Sequence, residues 1–162
     1  MAPCRRPERN LPVLSQQELS DRAEIQDLIV GEASAMDRRD WERWQACFTP
    51  DAAIDYSKND GAVGTPAEVA VWLASVLGRF RSYQHLSSNA EIDLEGDTAK
   101  IRTMQYIAVN MDASGGERVV FSGIWFHDEV VRTPRGWRIT KRYEELAWRH
   151  NFPSDFVPPI AN

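Results

Sequence analysis

From Ser82 to Trp148 the chain reads SYQHLSSNAEIDLEGDTAKIRTMQYIAVNMDASGGERVVFSGIWFHDEVVRTPRGWRITKRYEELAW. Three short breaks divide this stretch: EGD (Glu95–Asp97), SGG (Ser114–Gly116) and TPRG (Thr133–Gly136). Each holds the Gly, Asp, Ser or Pro residues that set tight turns. The runs between them, about Tyr83 to Leu94, Thr98 to Asp112, Glu117 to Arg132 and Trp137 to Trp148, are rich in β-branched and aromatic residues. They predict a four-stranded antiparallel meander. Strands usually span roughly five or six residues, so strands this long require a sheet that curls and carries bulges.

The preceding part of the chain has helical punctuation. Ser15 to Glu18 has the S-x-x-E form of a capping box, and Ile25, Leu28, Ile29, Ala33 and Met36 follow at helical spacing, so a helix is predicted to run to about Asp37. Glu32 lies in that apolar stripe. A second short helix fits Trp41 to Phe48, with Asp40 as cap and Pro50 as terminator. Ala52 to Tyr56 then reads as a strand, and Lys58 to Gly64 as an irregular loop. In TPAE, Thr65 caps, Pro66 takes the first helical position and Glu68 closes the box, which launches a helix through Val69, Trp72, Leu73, Val76 and Leu77. Helices grouped first and strands last indicate an α+β domain, with three helices packed on a bent sheet. The predicted domain covers residues 15–153, between an N-terminal tail (1–14) and a C-terminal tail (154–162).

With 162 residues, 43% of them hydrophobic, the chain can build one sizeable core. Six Trp, six Phe and four Tyr suit either that core or the walls of an organic-ligand pocket. A formal charge of −5 argues against a nucleic-acid partner. No apolar run reaches the roughly 18 residues that span a bilayer, and Met1 to Pro12 lacks a secretory apolar stretch. Cys4 and Cys47 are the only cysteines and do not suggest a disulfide framework. The expectation is a cytoplasmic protein without a membrane partner. There is no zinc-ligand spacing, no phosphate-cradling glycine loop and no dinucleotide fingerprint, so neither metal nor cofactor is expected.

Three segments carry a family likeness: MDRRDWERWQACFTPDAAIDY (Met36–Tyr56), YQHLSSNAEI (Tyr83–Ile92) and GIWFHDEVVRTPRGWRITKR (Gly123–Arg142). With the element order, they resemble the SnoaL-like branch of the nuclear transport factor 2-like superfamily, over about Leu19 to Pro153. The resemblance implies a cone-shaped fold around one pocket. It is nearest in pattern to the scytalone dehydratases and bile-acid 7α-dehydratases, whose pocket is lined by an Asp ending the first helix, a Tyr on the next strand and a His opening the meander. Asp37, Tyr56 and His85 match those positions. The surroundings differ: Glu32 stands where the bile-acid enzymes have a Tyr, and Ala108 to Asn110 hold no second pocket His.

What the resemblance implies can be set beside the plainer reading of each residue. A carboxylate at a helix C-terminus meets the negative end of the macrodipole, at roughly 0.3–1 kcal/mol, so Asp37 needs a compensating partner. That partner is either Arg38 or Arg39 on the surface, or His85. As a dyad, Asp37 would hold His85 for proton transfer and Tyr56 would donate to a developing oxyanion. Glu32 is either an edge residue or a second pocket acid. Trp41, Trp72, Trp125 and Asn110 are candidate substrate contacts, though each could equally belong to the core or scaffold. Arg142 is weaker still and reads as structural. The expected activity is cofactor-independent elimination or isomerisation next to a carbonyl, on a small hydrophobic ring compound. A non-catalytic binding or structural module of the same fold is the alternative, with cyclase or epoxide hydrolase as a third. Apolar residues on both faces of the long strands, among them Val119, Val120, Phe121, Ile124 and Trp125, predict a homodimer or homotrimer.

Overall fold

In a computed structural model of the chain, residues 13–113, 115–154 and 156 are described. Cys4 and most of both predicted tails lie outside them. The first capping box forms as expected: Ser15 Oγ accepts from Glu18 N at 3.2 Å and Glu18 Oε2 accepts from Ser15 N at 2.7 Å. It opens α1 (Gln16–Asp37). Ile25, Ile29 and Met36 are buried along that helix, each worth about 1.5–3 kcal/mol by removal from water. The second box, Thr65 with Glu68 and Pro66 between them, opens α3 (Pro66–Leu77), which buries Val69, Ala70, Leu73 and Leu77.

Between them the expectation needs correction. The second helix, α2 (Trp41–Gln45), is shorter than predicted, and Pro50 does not follow it as a terminator but lies inside strand β1 (Phe48–Asp55). Proline is tolerated there because the pairing of β1 with its neighbour breaks register between Phe48 and Ala53, so no ladder hydrogen bond is needed from it. A 3₁₀ turn (Ser57–Asn59) leads to a two-residue strand β2 (Val63–Gly64), in what reads as loop. The meander follows as β3 (Ser82–Glu95), β4 (Thr98–Ala113), β5 (Gly116–Thr133) and β6 (Gly136–His150).

The strands form one six-stranded mixed sheet in the order β2-β1-β6-β5-β4-β3. β1 runs parallel to β6, and the meander pairs are antiparallel. The sheet is not closed. Irregular pairing between Ser88 and Glu91, Gly123 and Ile124, and Glu129 and Val130 lets the long strands bend around the helices. Gly123 is required at one of these places, since a Cβ there would stand 2.4 Å from the Trp148 ring.

Candidate active site

The inner face of the sheet and helices α1 and α3 enclose a cavity of roughly 850 Å³, counting space open to solvent. Its walls are mostly apolar: Met36, Leu73, Leu77, Phe80, Ile107, Val109, Ile124 and Phe126, with Phe152 and Phe156 from the C-terminal segment. Phe156 stacks on Phe80, so part of the predicted C-terminal tail packs against the domain. A few polar groups interrupt this lining, as is usual where small organic molecules bind. They are His85, Tyr56, Gln105, Ser122, Asn59, Glu144 and Arg149.

Asp37 and His85, 48 positions apart in the sequence, meet. His85 Nδ1 lies 2.6 Å from Asp37 Oδ1, and the His85 backbone N–H donates to the same carboxylate at 3.1 and 3.3 Å. Topology explains this contact. β3 is an edge strand, so alternate N–H groups have no strand partner, and the last residue of α1 supplies an acceptor. The two N–H groups offset the unfavourable position of a carboxylate at a helix C-terminus. Tyr83 tightens the junction by donating from its hydroxyl to Met36 O at 3.0 Å and by packing edge-on to the His85 ring. Neither nearby arginine neutralises Asp37 by an ion pair. Arg39 instead donates to Leu77 O and Phe80 O, which ties the end of α1 to the end of α3. Asp37 stands behind His85 and is not itself a cavity wall; with Nδ1 held by the carboxylate, Nε2 is the nitrogen left for chemistry.

Tyr56 follows β1 and stacks on Phe126 with ring centroids 5.9 Å apart. Gly61 makes room for it, because a Cβ there would lie 2.6 Å from Tyr56 Cβ. Burial holds the phenol far above its ordinary pKa, so the hydroxyl stays protonated and able to donate. It lies close to the Arg142 guanidinium but makes no hydrogen bond among the described residues. Gln105 Nε2 donates to Ser87 Oγ at 3.0 Å, and its Oε1 is likewise buried without a partner.

Of the predicted substrate contacts, only Trp72 lines the cavity. Glu32 is neither an exposed edge residue nor a pocket acid. It is 1% exposed beneath the cavity, where it accepts from Trp44 Nε1 at 2.7 Å and from Arg142 Nη1 at 2.8 Å. Arg142 also forks onto both oxygens of Asp128, each at 2.8 Å. Burial alone would lower the Arg142 pKa, but Asp128 and Glu32 more than offset it and keep the guanidinium charged. Trp41 packs at the margin of the core. Trp125 lies outside the sheet under Arg102, whose guanidinium carbon is 3.6 Å from the ring centroid. Asn110 alternates onto the face opposite buried Val109 and Met111, and so also misses the cavity. These corrections share a cause: adjacent apolar residues such as Ile124 and Trp125 leave the inward face of a strand undecided.

Sequence reasoning missed Glu144. It is 5% exposed in the cavity wall, and Asn59 Nδ2 donates to its Oε1. Burial pushes its carboxyl up to about 7. The one available signal was its odd placement in TKRYEELAW, where strict alternation pairs Glu144 with buried Arg142. Among the described residues, no group of three or more His, Cys, Asp or Glu side chains is placed to hold a metal ion. Cys47 is a buried free thiol, its pKa raised to about 11 chiefly by burial. No helix among the described residues is long and apolar enough to cross a membrane.

Three helices on a bent mixed sheet around an interior cavity define a class of protein. Residues 17–143 match the SnoaL-like domain, and the chain belongs to that family, with the nuclear transport factor 2-like fold. A relative from Mycobacterium tuberculosis, itself uncharacterized, is 43% identical over 134 residues, covering 82% of this chain and 89% of the relative. Among solved structures, a candidate scytalone dehydratase from Novosphingobium aromaticivorans superposes with a TM-score of 0.73 at 18% identity, covering 89% of this chain and 95% of the other. A hexachlorocyclohexane dehydrochlorinase, LinA type 3, from Novosphingobium barchaimii gives 0.71 at 21% identity, covering 87% and 97%. At these identities, the two structures establish the shared fold.

Proposed function

We propose that the chain is a cofactor-independent lyase that eliminates a small leaving group next to a carbonyl on a ring-containing substrate. The observation that carries this reading is the 2.6 Å contact between His85 Nδ1 and Asp37 Oδ1 at the wall of an apolar cavity. His85 Nε2 removes the proton from the carbon beside the carbonyl. The C–H electron pair becomes the new double bond as the leaving group departs with its own bonding pair, and the imidazolium can return the proton to a departing hydroxyl. Asp37 fixes the tautomer and stabilises the imidazolium. Tyr56 donates to the oxygen on which negative charge develops when the substrate's carbonyl oxygen points toward the Phe126 end of the cavity. Acid–base catalysis supplies roughly 10²–10⁴-fold, so water exclusion and oxyanion stabilisation carry the rest. The same first step without a leaving group gives isomerisation. The names of the dehydratase and dehydrochlorinase neighbours, both eliminations, support the choice of reaction class. A panel of β-hydroxy and β-halo ring ketones, followed by mass spectrometry, tests it. Loss of water or hydrogen halide that disappears in His85→Ala supports the reading. Turnover surviving in His85→Ala overturns the assignment of the base, and ligand binding with no chemistry across the panel favours a binding module.

A further inference from the structure

The mechanism above leaves the one carboxyl among the described lining residues of the cavity unused. We propose that Glu144 is a specificity-determining residue: its carboxyl binds a hydroxyl carried by the substrate at the end remote from the bond that His85 opens. The inference rests on the cavity being a ring-compound site, but not on the identity of the base.

Register places Glu144 away from the reacting bond. His85 pairs with Ile107, Ile107 with Ser122 and Ser122 with Arg149, whereas Glu144 pairs with Phe126 and Phe126 with Thr103. On β4 the two rows are four residues apart (107 − 103), or about 13 Å along the strands. In an elimination the acidic C–H and the leaving group sit on neighbouring carbons, so Glu144 addresses another part of the molecule. Fused rings cover such a span.

Its surroundings favour a donor ligand. Beneath it, Arg142 is already committed to Glu32 and Asp128, two carboxylates on one guanidinium. Arg142 and Arg149 only partly offset the burial of Glu144, and Arg149 is tied to the turn, donating to the Asn59 side chain and to Asn59 O and Asp60 Oδ2 at 3.1 Å. Gln105 Oε1 is a buried acceptor in the same cavity without a donor. Gln105 lacks the donor that a substrate hydroxyl would give it, and the Glu144 carboxyl, which accepts from Asn59 at Oε1, has a second oxygen to offer the same hydroxyl. The plainer role for Glu144 is to clamp the 3₁₀ turn through Asn59. A neutral amide would serve that role as well, which makes the two readings separable.

Binding of 1-tetralone and 6-hydroxy-1-tetralone, measured by calorimetry on the full chain, tests the proposal. At pH 8.5, where the Glu144 carboxyl is ionised, the hydroxylated probe should bind about tenfold tighter or more to the native protein, the effect of one hydrogen bond to a charged group. That preference should fall to about unity in Glu144→Leu. Glu144→Gln keeps the Asn59 contact and should retain only part of the preference, which covers the case in which the leucine variant does not fold. His85→Ala should leave it intact, so loss of chemistry and loss of recognition are read apart. Equal affinity for the two probes in the native protein, an undiminished preference in both Glu144 variants, or binding of neither probe would overturn it.

Discussion

Asp37 closes α1 where the macrodipole opposes its charge, and the edge strand β3 turns that position to use by presenting a backbone and a ring N–H. The dyad was legible because the family pattern named both residues. Its geometry was not, since nothing local joins a helix end to a strand start 48 positions later. Glu144 makes a sharper residue-scale prediction. Its carboxyl binds a proton more tightly in the folded state, about 7 against 4.5. The sign follows: between pH 4.5 and about 7 the folded chain holds more proton than the unfolded one, so stability falls as pH rises through that window. The fall is on the order of 3 kcal/mol at most. Urea unfolding of Glu144→Gln across this range should show a flatter profile than the native protein and greater relative stability at pH 8. An unchanged slope would show that the carboxyl is not held in its neutral form.

At the scale of elements, the two capping boxes and the three meander turns were readable because each is a local device, written within four residues. What was hidden is long-range. Arg142 lies 110 positions from Glu32, and no spacing rule connects them. Pro50 looks like a helix stop until the irregular register of β1 against β6 is known. Near Gly123, pairing jumps from Trp148 to Leu146, which shifts the inward face of β6 just where the cavity needs Glu144 and Arg149. The Arg142 cluster pins α1, β5 and β6 beneath the cavity. Arg142→Met, which leaves Glu32 and Asp128 buried without their cation, should destabilise the chain by about 3–5 kcal/mol in chemical denaturation. Thr65→Ala, which removes only one cap, should cost about 1 kcal/mol. Similar values for the two would mean that the buried cluster adds little.

On the scale of the whole molecule, the sheet has two apolar faces. The inner one lines the cavity. On the outer one Tyr106 packs against Phe121 and Trp148, and Leu86, Val119 and Trp148 remain 60%, 44% and 44% exposed. Large contiguous apolar surface is the kind that protein partners cover. We propose that a second copy of the chain covers it, as the apolar pattern of the strands suggests. Sedimentation equilibrium at micromolar concentration should give a dimer, and Leu86→Lys should shift it toward monomer. A monomer in the native protein would contradict this. The central claim, that the cone is an acid–base cavity worked by one Asp–His unit, is tested most directly by a double-mutant cycle on turnover of whichever ring ketone the panel identifies. His85→Ala and Asp37→Asn should each lower kcat/KM by about 10²-fold or more, with the double variant losing little beyond the worse single change, because both belong to one catalytic unit. Additive losses, or full activity in His85→Ala, would contradict it.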